Sequence, residues 1–311
     1  MKNNYAYGSL ESYLDFGTLA FPIRWDAIFG NARPLELEIG FGTGEYLVGI
    51  AAAAPQTNFI GFEQDTKRII KTLRKIHEAQ LTNVRVMSVD ARAGVEELFG
   101  PDALQKIHCL FPCPWPKKRH AKNRLFSSDF LKLMNTRLIN GGVLKVVTDH
   151  APYVAWIKEN IPGSGFSVEA RVIPPTYRTK FEKKWQESGQ AEFYELVFTK
   201  MSAVLVEEKE RGIMQKYLIA KADPAQAVFE NLVGRVCVEF KEPLFDAARG
   251  QGMVLAIVTE DKRTQYLWIM IEQTPKGWRV GAAQGLNILP TEGVRLALVK
   301  ARDAYENSGH A

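Results

Sequence analysis

Pro34-Leu35-Glu36-Leu37-Glu38-Ile39-Gly40-Phe41-Gly42-Thr43-Gly44 is the stretch that decides the fold. Apolar residues alternate with acids up to Ile39, the period of a strand, and glycines then fall at every second position. EYLVGIAAAA (45–54) continues as a helix that Pro55 closes. Strand, glycine loop and helix in that order give a glycine pattern its meaning, because the loop then sits at the carboxyl end of a strand.

The alternation repeats outward from there. NFIGFE (58–63) reads as a strand, and 65–80 as a helix with Ile69, Ile70, Leu73 and Ile76 at helical spacing. NVRVMSVD (83–90) is a third strand, VEELF a short helix, and KIHCLF (106–111) a fourth strand. SSDFLKLMNTRL (127–138) is helical, with Ser127 or Ser128 as N-cap and Gly141 beyond its end. GGVLKVVTD (141–149) is a fifth strand, followed by the helix APYVAWIKENI. FSVEARVI (166–173) and EFYELVFTK (192–200) read as two strands joined by a long loop, antiparallel because no helix separates them. The fold class is therefore α/β, a mostly parallel sheet with helices on both faces. Its antiparallel ending fits the Rossmann-like sheet of class I S-adenosylmethionine-dependent methyltransferases better than a plain dinucleotide fold.

Residues 1–34 form a polar, aromatic-bearing lead-in, and 35–200 form the methyltransferase-like domain. From about 201 the character changes. RVCVEF (235–240), MVLAIVTE (253–260) and YLWIMIEQ (266–273) alternate closely, and EGVRLALVKARDAYE closes the chain as a helix. Residues 201–311 are thus expected to be a small α+β domain after a junction near 201–212, with no recognisable chemistry. No internal repeat is present.

Glycines let a backbone turn tightly and approach a ligand closely. The spacing of Gly40, Gly42 and Gly44 is G-x-G-x-G, whereas a dinucleotide pyrophosphate calls for G-x-G-x-x-G, which disfavours a nicotinamide-dependent oxidoreductase. A short loop preceded by an acid suits S-adenosylmethionine, which carries an ammonium instead of a phosphate. Glu38, Glu63 and Asp90 each end a successive strand and so share one crevice. A carboxylate at 63 can accept both ribose hydroxyls, and one at 90 can reach the adenine amino group.

The 311 residues carry a net charge of +5. Residues 1–200 hold 26 Lys and Arg against 21 Asp and Glu, and 201–311 hold 14 against 14, so the whole excess lies in the first part. It clusters in WPKKRHAKNR (115–124) and YRTKFEKKW (177–185). A single such run is usually a solvated face, but two runs interleaved with aromatics suit a polyanion with bases to stack. No run of 18 uncharged apolar residues occurs, and no apolar stretch follows the first Lys, so neither a membrane helix nor a secretory leader is expected. Three cysteines and five histidines, with no Cys-x-x-Cys pair, argue against a disulfide framework and a structural zinc. The expectation is a reduced, cytoplasmic protein without metal.

Residues 35–200 resemble the bacterial tRNA (guanine-N7-)-methyltransferases, which methylate guanine 46 in the tRNA variable loop. The resemblance rests on EIGFGTG, the acids of IGFE and SVDAR, PWPKKRH followed by K-x-R-L, Thr148-Asp149, and Thr179-Lys180-Phe181-Glu182. It covers about half the chain and leaves the domain after 200 outside. It implies S-adenosylmethionine contacts at Glu38, Glu63 and Asp90, and substrate-binding positions at Lys117, Asp149, Thr179, Lys180, Phe181 and Glu182. The family usually reads FPDPWPKKRH, with a cofactor-binding, catalytic Asp; this chain reads FPCPWPKKRH, placing Cys113 there.

Guanine N7 holds a free in-plane lone pair, so attack on a methyl sulfonium needs no general base. Activity is therefore expected to survive at Cys113, a similar-sized weak hydrogen-bonder, with Asp149 and Glu182 supplying negative charge near the acceptor. Glu182 is the expected reader of the guanine N1–H and N2–H edge, and Lys117, Lys118, Arg119, Lys122 and Arg124 are expected phosphate contacts. The alternative is a non-catalytic tRNA-binding protein that retains the cofactor pocket. For the C-terminal domain two readings compete. It is an appendage covering an apolar surface or mediating self-association, or it grips distal tRNA through Arg235, Lys262, Arg263 and Arg279 with Trp268 or Trp278.

Overall fold

The computed structural model describes residues 9–177, 179–187, 189–190, 192–206, 214–260, 263–283 and 288–309. The chain divides into two compact units: residues 1–14 with 22–208, and residues 15–21 with 209–311.

The first unit is built on a seven-stranded sheet. Its strands are β1 (Leu35–Ile39), β2 (Asn58–Glu63), β3 (Val84–Ser88), β4 (Leu104–Leu110), β5 (Leu138–Thr148), β6 (Phe166–Ile173) and β7 (Phe193–Lys200), in the order β3-β2-β1-β4-β5-β7-β6. The first five are parallel, and β7 runs antiparallel to both β5 and β6. This is the class I methyltransferase sheet. Strand order reverses at β1, between β2 and β4, so a crevice opens at the carboxyl ends of β1 and β4.

Helices α1 (Trp25–Phe29), α2 (Glu45–Ala53), α3 (Thr66–Glu78), α4 (Ala91–Leu98), α5 (Ser128–Arg137) and α6 (Ala151–Glu159) flank the sheet. On one face Leu47 and Ala51 of α2 and Ile69, Leu73 and Ile76 of α3 close over Phe59, Val84 and Val86. Full burial of each such side chain contributes about 1.5–3 kcal/mol. Ile70, which shares the sequence periodicity, faces outward at 44% exposure.

Three features depart from the sequence reading. The segment between β6 and β7 is not a plain loop: it carries α7 (Lys180–Glu187). The Thr179 hydroxyl accepts from the Glu182 amide at 3.1 Å, so Thr179 caps the start of this helix. Ser127 stands at the N-cap of α5 but makes no side-chain capping bond. The described part of the lead-in, from Ser9 on, is part of the fold: Tyr13 pairs with Val86 at the edge of β3, and Trp25 stacks on Phe99 at 5.0 Å.

The second unit holds a six-stranded antiparallel sheet with β8 (Tyr217–Ile219), β9 (Val236–Phe240), β10 (Leu244–Asp246), β11 (Gln251–Glu260), β12 (Arg263–Thr274) and β13 (Gly277–Ala282). Helix α8 (Glu292–Ser308) lays Val294, Ala297, Leu298, Ala301 and Tyr305 on one face of it. The expected α+β character is present in this unit, although residues 201–208 group with the first unit and 15–21 of the lead-in with the second. Arg235 is ion-paired with Glu292, and Arg279 donates to Glu272 at 2.8 Å. Lys262 lies outside the described residues, and Trp278 packs against the core.

No helix among the described residues is long and apolar enough to cross a membrane.

Candidate active site

The crevice is assembled around the loop between β1 and α2. Gly40, Gly42 and Gly44 have φ of 74°, 57° and 79°, the left-handed region that L side chains avoid. The three differ in surroundings. A Cβ on Gly44 would stand 2.4 Å from Thr72, so that glycine is needed for α3 to pack, whereas Gly40 and Gly42 face open space where a ligand can approach.

Glu63, at the end of β2, holds this loop. Its Oε2 accepts from the Gly42 amide at 3.0 Å, and its Oε1 accepts from the Gln64 and Asp65 amides at 2.9 and 3.1 Å. Arg68 adds an ion pair at 3.5 Å. Lys75 secures the other side, donating to Thr43 O and Glu45 Oε1, both at 2.7 Å. The loop is thereby fixed before any ligand arrives.

Glu38 stands one residue before the end of β1 at 3% exposure, and its Oε2 is buried with no hydrogen-bond partner among the described residues. Burial first, and then the negative charges of Glu45 and Glu63, push its carboxyl up to about 8. A buried acid without a partner is costly, and a cationic group brought to it would relieve that cost. The site thus fits a ligand ammonium.

Asp90 is the N-cap of α4: its Oδ1 accepts from Ala93 N at 3.1 Å, and Oδ2 accepts from the Gln64 side-chain Nε2 at 3.2 Å. Gln64 therefore joins the strand-end acids 63 and 90 across one mouth.

The loop after β4 carries Cys113, exposed and free. Phe111 and Trp115 on either side of it both have positive φ, 54° and 44°, a conformation costing roughly 1–3 kcal/mol at each bulky residue. Phe111 is held by its amide bond to Val147 O (2.7 Å) and by its ring against Phe193. Arg124 braces the rest, donating to Pro114 O at 3.0 Å and Trp115 O at 3.3 Å while its guanidinium lies 5.1 Å from the Trp156 ring centre. This corrects the expectation that Arg124 faces phosphate, since its donors are turned onto the loop's own carbonyls. Lys117, Arg119 and Lys122 remain exposed around a 3₁₀ turn (Lys118–Asn123), and the side chain of Lys118 lies outside the described residues.

Asp149 stands half-buried just past β5, with no hydrogen-bond partner among the described residues. Glu182 is placed otherwise than expected. It is 1% exposed, and its Oε1 accepts from the Thr176 and Tyr177 amides at 2.6 and 3.0 Å. Its carboxylate clamps the segment entering α7, so reading a guanine edge is not its role in this conformation. Thr179 is likewise committed to the start of α7, while Lys180 stands exposed at its first turn. The Phe181 side chain lies outside the described residues, as does Arg178.

One constellation has no counterpart in the sequence reading. His108 Nε2 lies 2.7 Å from Glu36 Oε2, and its Nδ1 lies 3.0 Å from the Tyr46 hydroxyl. Burial holds His108 below its ordinary value, against the pull of Glu36. The neutral ring therefore donates from Nε2 to Glu36 and accepts at Nδ1 from Tyr46. The Tyr46 ring meets Tyr177 edge-on at 5.4 Å, and Tyr177 donates its hydroxyl to Glu195. Burial alone would raise Glu195, but Tyr177, Arg171 and Lys145 together hold it below the usual carboxylate range. This chain ties the foot of α2 to the segment leading into α7.

Residues 32–195 match a family model described as a putative methyltransferase. A tRNA (guanine-N(7)-)-methyltransferase of Thermus thermophilus is 31% identical over 297 residues, covering 93% of this chain and 94% of its own length. One from Chlorobium phaeobacteroides is 38% identical over 170 residues, 55% of this chain and 83% of that relative. The likeness to the Thermus protein thus runs well into the second unit, beyond the half of the chain that the motifs cover.

Proposed function

The chain belongs to the tRNA (guanine-N(7)-)-methyltransferase family, and from that premise we propose that it transfers a methyl group from S-adenosylmethionine to N7 of guanine 46 in tRNA. The observation that carries this reading is the buried, unpartnered Oε2 of Glu38 beside the open glycines 40 and 42. S-Adenosylmethionine supplies an electrophilic methyl on a sulfonium, together with an ammonium that can satisfy that oxygen. Glu38 and the Gly40–Gly42 backbone hold the amino-acid end. Glu63 receives the ribose hydroxyls, and Asp90 reaches the adenine edge.

Since guanine N7 needs no deprotonation, the work of the chain is in-line placement of acceptor and methyl, worth about 7–11 kcal/mol for near-attack geometry. The purine ring gains positive charge as transfer proceeds, and Asp149 is the free carboxylate available to face it. Cys113 stands where the acceptor enters and is dispensable as a base. Lys117 and its exposed neighbours hold the RNA backbone. Thr179 and Glu182 are positioning residues that set where Tyr177 and Lys180 stand. The enzyme works in the cytoplasm, where its tRNA substrate is.

The test is methyl incorporation into two tRNA transcripts that differ only at position 46, G or A. Labelling of the G46 transcript alone supports the reading, and equal labelling of both refutes the target position.

A further inference from the structure

The basic residues of α3 fall into two sets. Arg68 and Lys75 turn inward to Glu63 and to Thr43 and Glu45. Lys67, Lys71 and Arg74 stand exposed, and among the described residues their side chains form no ion pair or hydrogen bond. They recur at i, i+4 and i+7, so they make one stripe about 10 Å long on a single helix face.

A surface helix carrying lysines is unremarkable by itself. Here, however, Lys71, Arg74 and Lys75 line a cleft together with Lys180, more than a hundred residues away in sequence. Thr43 of the glycine loop lines the same cleft. Glu45 and Glu78 also line it, but Glu45 is already matched by Lys75 at 2.7 Å. Cations from two separate elements thus converge on one concavity with less negative charge than they need. Such convergence is repulsive until an anion enters, and a concave wall focuses the attraction on that anion.

Helix α3 connects β2 and β3, and the 115–124 loop leaves β4, so the α3 stripe and that loop stand on opposite sides of β1 in the sheet order, while Lys180 reaches the cleft from the segment between β6 and β7. We propose that the α3 stripe Lys67–Lys71–Arg74, whose Lys71 and Arg74 share a cleft with Lys180, is a second RNA-backbone contact. A strand of the substrate held at both regions must then cross the crevice between them, which presents a base to the methyl donor. This inference rests on the reading of the protein as a tRNA methyltransferase, and it adds the path of the RNA.

The test compares the native protein with the double variant Lys71→Ala/Arg74→Ala, by tRNA affinity over a salt series. Two lost phosphate contacts should lower the log–log salt slope by about 1.4–1.8. The dissociation constant for S-adenosylhomocysteine should stay as in the native protein, which shows that the glycine loop and fold are intact. A second variant, Lys180→Ala, should lower the slope by about 0.7–0.9. If native protein binds and methylates tRNA while both variants keep its slope and affinity, the α3 contact is refuted and the functional reading stands. If the native protein itself does not bind tRNA, both fall together.

Discussion

Glu38 should release a proton when S-adenosylhomocysteine, the non-reacting form of the donor, binds. With its carboxyl pushed up to about 8, roughly nine in ten free molecules hold it protonated at pH 7. A ligand ammonium set against Oε2 favours the carboxylate, so the proton must leave, costing about 1.4 kcal/mol at pH 7. Below pH 7 the ligand's own ammonium stays charged, so the pH dependence of this contact follows Glu38. The dissociation constant should therefore fall about ninefold from pH 6 to pH 7, as the protonated fraction declines. Calorimetry at pH 7 in two buffers of different ionisation enthalpy should give about 0.9 proton released. Glu38→Gln should show neither effect. The same group sets a stability trend in the free protein. A folded-state value above the ordinary 4.5 means that its stabilising protonation is complete below that pH and lost as pH rises through about 8. Glu38→Gln should then outlast the native protein at pH 9, by at most about 5 kcal/mol. Equal dissociation constants at pH 6 and 7, with no buffer dependence, would refute the placement of the ammonium at Glu38.

Three further outcomes are expected. In single-turnover assays the native protein should transfer methyl, and Cys113→Asp should change the rate by no more than about 100-fold, the worth of one charged hydrogen bond. Transfer seen only with Cys113→Asp would instead mark the native chain as a non-catalytic tRNA binder. Arg124→Ala removes two carbonyl contacts and the stacking on Trp156, and should cost about 1–3 kcal/mol in urea unfolding with the tRNA salt slope unchanged; a lowered slope with native stability would restore Arg124 as a phosphate contact. His108, held below its ordinary value by burial, contributes stability that is present above about pH 6.5 and lost as pH falls, so His108→Phe should flatten the acid limb of the stability curve. An unaltered limb would show that the ring is not buried neutral.

The first unit was legible because its information is local. Alternation before Gly40, the spacing of three glycines and the helical spacing of Ile69, Leu73 and Ile76 each act within one element, and the strand-end acids follow from strand ends. Helix α7 was hidden because Thr179-Lys180-Phe181-Glu182 suits a helix start and a substrate motif in the same letters, and only the Thr179 cap together with the amides of Thr176 and Tyr177 against Glu182 shows these side chains committed to the start of the helix. In 115–124, charge alone could not show which cation folds back. That depends on Trp156, carried by a helix that begins more than 25 residues later. The Glu36–His108–Tyr46 chain was out of reach for a similar reason: its members lie 72 and 62 residues apart, and only the pairing of β1 with β4 brings them together.

The central claim is that the methyl group ends on N7 of one guanine in tRNA. Incubating unmodified tRNA with the protein and S-adenosylmethionine, then mapping modified nucleosides by nuclease digestion and mass spectrometry, tests it directly. The expected result is 7-methylguanosine at position 46 and no other new methyl group. Methylation of a different nucleoside, or none under conditions where tRNA and cofactor both bind, would contradict it.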